Sequence, residues 1–228
     1  MTRLGFPIEN IIMFAWSIGG YPASYAAMMY PSMKGLILDA TFDNITELAL
    51  NRMPGFAEGL VRKIVRNYLD LNVARHCVSY PGPIRLIRRQ REEIITVESG
   101  IPETNRGNFL LLSILQQRYP QIFVSESVSV VNKLLSAYDM VGQSKVLREA
   151  GGIDRDACEE RLTLESGGEK PTYPLHIGAD WSVEVKIETA LFLSRVYMDH
   201  FDATHCMPLP SMYFQMPWQH RVKSSHSF

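Results

Sequence analysis

Ile11-Ile12-Met13-Phe14-Ala15-Trp16-Ser17-Ile18-Gly19-Gly20-Tyr21-Pro22 is the stretch on which the fold turns. The apolar run from Ile11 to Trp16 has no 3.6-residue period, and it lies between Pro7 and Glu9 on one side and Gly19-Gly20 on the other, which predicts a buried parallel strand over 10–15. Past the glycines, Ala23, Ala26, Ala27 and Met28, with Pro22 in the first turn, predict a helix over 20–30 that packs closely on a sheet and ends at Pro31. Ser17 sits at the joint, with Ala15 two residues before it, Gly19 two after and Gly20 three after. A sharp strand-to-helix turn crowds the neighbouring backbones, so it demands small residues at those positions and leaves the serine Oγ exposed above the sheet; this is the nucleophile elbow. The plainer reading is a serine capping a helix after an ordinary βα turn.

Working outward, Gly35 to Asp39 reads as a second buried strand with a polar exit through Asp43, completing a βαβ unit. Residues 44–76 read as cap-like helices broken at Pro54-Gly55. Their second segment carries a stripe of Leu60, Val61, Ile64, Val65, Tyr68 and Leu69, with Arg62, Lys63 and Arg66 off the stripe. Ile84 to Ile87 reads as a third strand that runs into the charged stretch Arg88 to Glu93. Helices are expected over 109–119, 128–138 and 183–198. The glycine-rich span 142–174, within a block reaching 182, is expected to be a loop-like excursion, and the tail 221–228 to be frayed. There is no internal repeat.

With 228 residues, 46% of them hydrophobic and 21% charged, the chain fits one globular domain spanning 1–228. A net charge of −1 excludes the broad positive field of a general nucleic-acid binder. The longest apolar run is far short of the roughly 20 residues that cross a bilayer, and the first seven residues carry one positive charge and no apolar stretch of the length a secretory signal needs. Cys77, Cys158 and Cys206 are too scattered for a disulfide framework. The pairs His76-Cys77 and His205-Cys206 lack the usual metal-ligand spacing, so neither metal nor cofactor is expected.

A serine needs a base, and behind an elbow the partners follow in the order serine, acid, histidine. Glu92 or Glu93, past the third strand, can supply the acid, with Asp39 and Asp43 as rivals at the preceding strand's exit. His205 lies after the acid in a polar loop hemmed by Phe201 and prolines, and His176 is the fallback base. His76, His200 and His220 read as structural or surface residues, and His226 falls in the tail.

Taken together, Trp16-Ser17-Ile18-Gly19-Gly20, Ile37 to Ala40, Leu86 to Arg89, Glu93 to Thr96, Asn105 to Asn108, Arg118-Tyr119-Pro120, Ala203-Thr204-His205-Cys206, Pro208-Leu209-Pro210 and Phe214 to Trp218 resemble the phosphatidylserine lipase branch of the α/β-hydrolase-domain proteins, the family numbered sixteen. The resemblance implies an α/β-hydrolase fold with Ser17 as nucleophile, His205 as general base and Glu92 as acid, where that family has Asp. The Ile18 amide would then be an oxyanion donor. It further implies cleavage of glycerophospholipid acyl esters, giving lysophosphatidylserine and fatty acid, with monoacylglycerols as a further substrate. Membrane association, at the endoplasmic reticulum, would follow from the same family. The basic residues Arg62, Lys63 and Arg66 would face an anionic lipid surface from a lid at 60–69. Only about ten residues precede the nucleophile strand, so a truncated sheet with an open apolar edge and no second oxyanion-donor loop is expected. The competing expectation is a catalytically silent interaction module with a lipid-contacting surface.

Overall fold

The computed structural model describes residues 2–137, 139–165 and 172–214. Strands β1 (Ile12–Trp16), β2 (Gly35–Asp39), β3 (Ile84–Arg89) and β4 (Met198–Phe201) form one parallel sheet in the order β1-β2-β3-β4. Nine helices connect and flank them among the described residues: α1 (Gly20–Met29), α2 (Thr46–Arg52), α3 (Glu58–Tyr68), α4 (Val73–Ser79), α5 (Arg106–Arg118), α6 (Ser125–Ser136), α7 (Met140–Glu149), α8 (Arg155–Glu165) and α9 (Val183–Tyr197).

Strand order governs the layering. Each strand is added on the same side of the last, and crossovers between parallel strands are right-handed, so every connection returns across one face of the sheet. The residues of that face confirm it. Ala15, Leu36, Leu38, Ile84, Leu86 and Met198 enter a single core with Ala23 and Ala27 of α1, Cys77 of α4, Leu111 and Leu115 of α5, Leu134 of α6 and Leu191 of α9. Burial raises the Cys77 thiol to about 12, leaving it an inert packing group. The opposite face carries Phe14, Trp16, Asp39, Arg89 and Phe201. The chain after β4 folds back over this face, with Phe14 against Phe214 at a centroid distance of 4.7 Å and Phe201 against Tyr213 at 5.3 Å.

Two expectations need correction. The described residues hold four strands rather than three, because Met198–Phe201 leaves α9 directly as β4 and pairs with β3 in the register Leu86↔Met198 to Arg89↔Phe201. Residues 140–165 are helical rather than loop-like. Asp139 caps α7 by accepting the Gly142 N–H at 2.8 Å, and Val146, Leu147, Ala150 and Leu162 pack against the core around buried Cys158. Gly151 and Gly152 make only the turn between α7 and α8, with φ of 93° and 88°. Ser166 to Gly168, His220 and the tail 221–228 lie outside the described residues.

Among the described residues, strand β1 is hydrogen-bonded on one side only, with Phe14 and Trp16 partly exposed. An open apolar edge templates intermolecular pairing. Light scattering across a dilution series is expected to show concentration-dependent association that Phe14→Lys reduces; equal monomeric behaviour of both proteins would contradict this.

Candidate active site

Ser17 lies at the carboxyl end of β1, in a 3₁₀ turn over Ser17–Gly19 that leads into α1. Its φ of 54° is left-handed, an energetically costly conformation for a non-glycine residue that persists only where the surroundings enforce it. Those surroundings are close. A Cβ on Gly20 would come within 2.3 Å of Thr41 Cγ2, and the Thr41 hydroxyl donates to the Ser17 carbonyl at 3.2 Å, so β2's exit locks the turn from beneath.

The carboxyl ends of the other strands deliver two more groups to the same place. Ser17 Oγ is 2.9 Å from His205 Nε2, and His205 Nδ1 is 2.7 Å from Glu92 Oε1. Glu92 follows β3 and His205 follows β4. Both are buried, whereas Ser17 is half exposed. Glu92 Oε1 also accepts the N–H groups of Ile94 at 2.9 Å and Ile95 at 3.1 Å, and its main-chain carbonyl accepts from the Thr96 hydroxyl, so both the carboxylate and its backbone are fixed. A carboxylate accepting from Nδ1–H selects the tautomer in which Nε2 is free to accept the serine proton. The Ile18 N–H is the first amide after the serine, at the positive end of the turn entering α1. Exposed apolar side chains adjoin this line along the chain: Ile18 beside Ser17, Ile94 beside the acid loop, and Met207 two residues past His205.

The rival carboxylates are engaged elsewhere. Asp39, 1% exposed, forms a bidentate pair with Arg89, 2% exposed, with Nε to Oδ1 at 3.0 Å and Nη2 to Oδ2 at 2.6 Å. Asp43 is bound in the same way by Arg106 and also accepts from Asn44. Glu93 reaches the histidine by its backbone, accepting the His205 N–H at 3.1 Å. The fallback His176 is exposed on the loop between α8 and α9. His76 is buried between the rings of Tyr21 and Tyr25, with Nδ1 3.1 Å from Ser24 Oγ. His200 lies on β4, where burial, then Arg88 and Arg195, push its imidazole down to about 3. No group of three or more metal-ligating side chains occurs among the described residues.

Of the three basic residues expected at a lipid surface, Arg62 is committed to Glu58 at 3.0 Å and Glu47 at 3.6 Å. Lys63 and Arg66 are exposed, and among the described residues no carboxylate pairs with either. Helix α3 buries Val65 against its neighbours and leaves Leu60, Ile64 and Tyr68 exposed, so only one edge of the expected apolar stripe is covered.

The sequence reading missed Arg89. Beyond its carboxylate, it donates Nη1 to the carbonyls of Thr204 at 2.8 Å and Met207 at 2.5 Å, bracketing His205. The signal lay in strand register: Asp39 opposite Ile87 puts Arg89, two residues on, over the same face at the sheet's carboxyl edge.

The family model of the alpha/beta hydrolase fold matches residues 2–121, just over half of the chain. The chain belongs to the α/β-hydrolase fold family. Over 219 residues, 95% of its length, this α/β hydrolase is 43% identical to phosphatidylserine lipase ABHD16A of Bos taurus and to that of Homo sapiens. It is 32% identical over 220 residues, 94% of its length, to an uncharacterized protein of Caenorhabditis elegans. The chain spans 39% of the length of each of these relatives. No solved structure matches it significantly. None of the helices among the described residues is long and apolar enough to cross a membrane.

The buried Asp39–Arg89 pair generates a stability prediction. Breaking such a pair strands a charge in the interior at a cost of about 3–5 kcal/mol. Urea unfolding is expected to show Asp39→Asn destabilised by about that amount, with a smaller effect for the exposed-pair variant Asp202→Asn; equal effects would contradict the assignment.

Proposed function

We propose that this α/β hydrolase cleaves acyl esters of glycerophospholipids, with phosphatidylserine as the reference substrate and monoacylglycerols as a second class. The observation that carries the reading is the unbroken line Glu92 Oε1, His205 Nδ1, His205 Nε2, Ser17 Oγ, ending on a serine held in a left-handed turn. The relatives named phosphatidylserine lipase supply the substrate class.

In this mechanism Ser17 Oγ attacks the acyl carbonyl while His205 Nε2 takes its proton, and Glu92 holds Nδ1–H and stabilises the imidazolium. The Ile18 N–H donates to the oxyanion as it forms. Collapse breaks the ester C–O bond, and His205 returns the proton to the departing glycerol oxygen, releasing lysolipid and leaving acyl-Ser17. Water, deprotonated by the same His205, then attacks the acyl carbon, and the proton passes back to Ser17 as the fatty acid leaves. One ester and one water become one alcohol and one acid. Ile18, Ile94 and Met207 give the acyl chain an apolar approach. Association with a membrane surface would use the outward residues Leu60, Ile64 and Tyr68 of α3, with Lys63 and Arg66 free to meet anionic headgroups and Arg62 held by its glutamates.

The test is fatty-acid release from phosphatidylserine vesicles and from a short-chain ester. Ser17→Ala and His205→Ala are each expected to abolish turnover while the melting transition is retained. Glu92→Gln is expected to lower kcat about 10³- to 10⁴-fold and Glu93→Gln far less. Full turnover by Ser17→Ala would overturn the reading. A folded wild-type chain with no turnover that still binds the vesicles would mark a silent lipid-surface module.

A further inference from the structure

The backbone of His205 is gripped on both sides of its Cα. Its N–H donates to Glu93 Oε2 at 3.1 Å, and its carbonyl accepts from the Trp16 indole Nε1–H at 3.1 Å. The indole also lies against the imidazole, with ring centroids 5.0 Å apart at 42°. The two gripping residues are the chain neighbours of the two groups that bind the imidazole: Trp16 precedes Ser17, and Glu93 follows Glu92. Each arm of the site therefore holds the histidine twice, once by its ring and once by its backbone.

Residues 202–210 form neither helix nor strand, so no backbone ladder fixes the φ and ψ of His205. Ring hydrogen bonds alone leave the imidazole free to move with its own backbone. Pinning the flanking peptides removes that freedom, and a misplacement of about 1 Å can lower a rate by about 10²-fold.

We propose that Trp16 and Glu93 are positioning residues, holding the two peptides that flank the His205 Cα so that Nε2 stays on Ser17 Oγ before a substrate arrives. This rests on the reading of Ser17, His205 and Glu92 as the catalytic line. Trp16 is partly exposed beside the serine, and Glu93 is an exposed carboxylate. Direct contact with substrate by either residue would therefore appear in KM, whereas positioning appears in kcat.

Three variants separate these roles in the full chain. Trp16→Phe keeps an aromatic ring and deletes the N–H, Glu93→Ala deletes the acceptor, and Glu93→Gln keeps an acceptor oxygen without the charge. With a short-chain ester, Trp16→Phe and Glu93→Ala are each expected to lower kcat about 2- to 10-fold, the effect of one hydrogen bond. KM should stay within about twofold, the melting temperature should hold, and Glu93→Gln should restore the wild-type kcat. The double variant Trp16→Phe/Glu93→Ala should lose more than the product of the single losses, because the second side is then released. A readout independent of turnover is the far-downfield proton resonance of the His205 Nδ1–H on Glu92, assigned by its absence from His205→Ala. It should broaden in Trp16→Phe and Glu93→Ala and remain sharp in Glu93→Gln. A rise in KM at constant kcat, a Glu93→Gln as impaired as Glu93→Ala, or a resonance unchanged in every variant would each overturn the proposal. A wild-type chain that shows this resonance pattern without hydrolysing any ester would sink the hydrolase reading and leave the positioning proposal standing.

Discussion

A buried guanidinium joins the sheet to the histidine loop. Arg89 ends β3, binds Asp39 of β2 through two hydrogen bonds, and donates to two carbonyls that bracket His205. Only arginine can do this from one position, because its planar fork matches a carboxylate and still presents donors along its other edge. The arrangement ties three consecutive strand exits together: Asp39 closes β2, Arg89 closes β3, and the chain leaving β4 is hung from Arg89. Without that anchor, residues 202–210 would be held by the bonds to His205 from Ser17, Glu92, Trp16 and Glu93 and, on their N-terminal side, by Arg91, which binds Asp202 and the Ala203 carbonyl.

Strand order makes the anchor possible. Because β1 to β4 are laid down in one direction, right-handed crossovers put their helices on one face and leave the other for the chain that follows β4. The carboxyl ends of β1, β3 and β4 lie along one edge, so Ser17, Glu92 and His205 converge although 188 residues separate the first from the last. Convergence at the carboxyl edge is the general habit of open parallel sheets. What is particular here is the doubling, in which Trp16 and Glu93 hold the backbone of a histidine whose ring is held by their neighbours.

Much of this was legible in the sequence because it follows from composition at fixed positions. An apolar run, a serine among small residues and an alanine-rich helix imply a crowded turn, and the crowding is visible where Gly20 leaves no room for a Cβ beside Thr41. The order of serine, acid and histidine points to Glu92 or Glu93 and to His205, the family resemblance implies Glu92, and the fold places Glu92 and His205 in contact. Other features depend on three-dimensional register, which a local pattern does not encode. Asp39 and Asp43 read as rival acids in the sequence, and it is Arg89 and Arg106, distant in the chain, that engage them in the fold. Strand β4 is four residues long with Asp199 and His200 at its centre, too short and too polar to stand out from a loop. The helices over 140–165 were masked by paired glycines that mark one turn rather than an irregular segment.

Catalytic competence in this account depends on Arg89 holding the histidine loop, and the rate at which a fluorophosphonate modifies Ser17 in Arg89→Lys tests that dependence most directly. Lysine keeps the charge facing Asp39 but cannot span the carboxylate and the carbonyls of Thr204 and Met207 together. Peptide mapping is expected to place the wild-type adduct on Ser17, and Arg89→Lys is expected to stay folded by circular dichroism while its modification slows at least about tenfold, as for a misplaced general base. Modification of Arg89→Lys at the wild-type rate, or a wild-type adduct on a residue other than Ser17, would contradict this account.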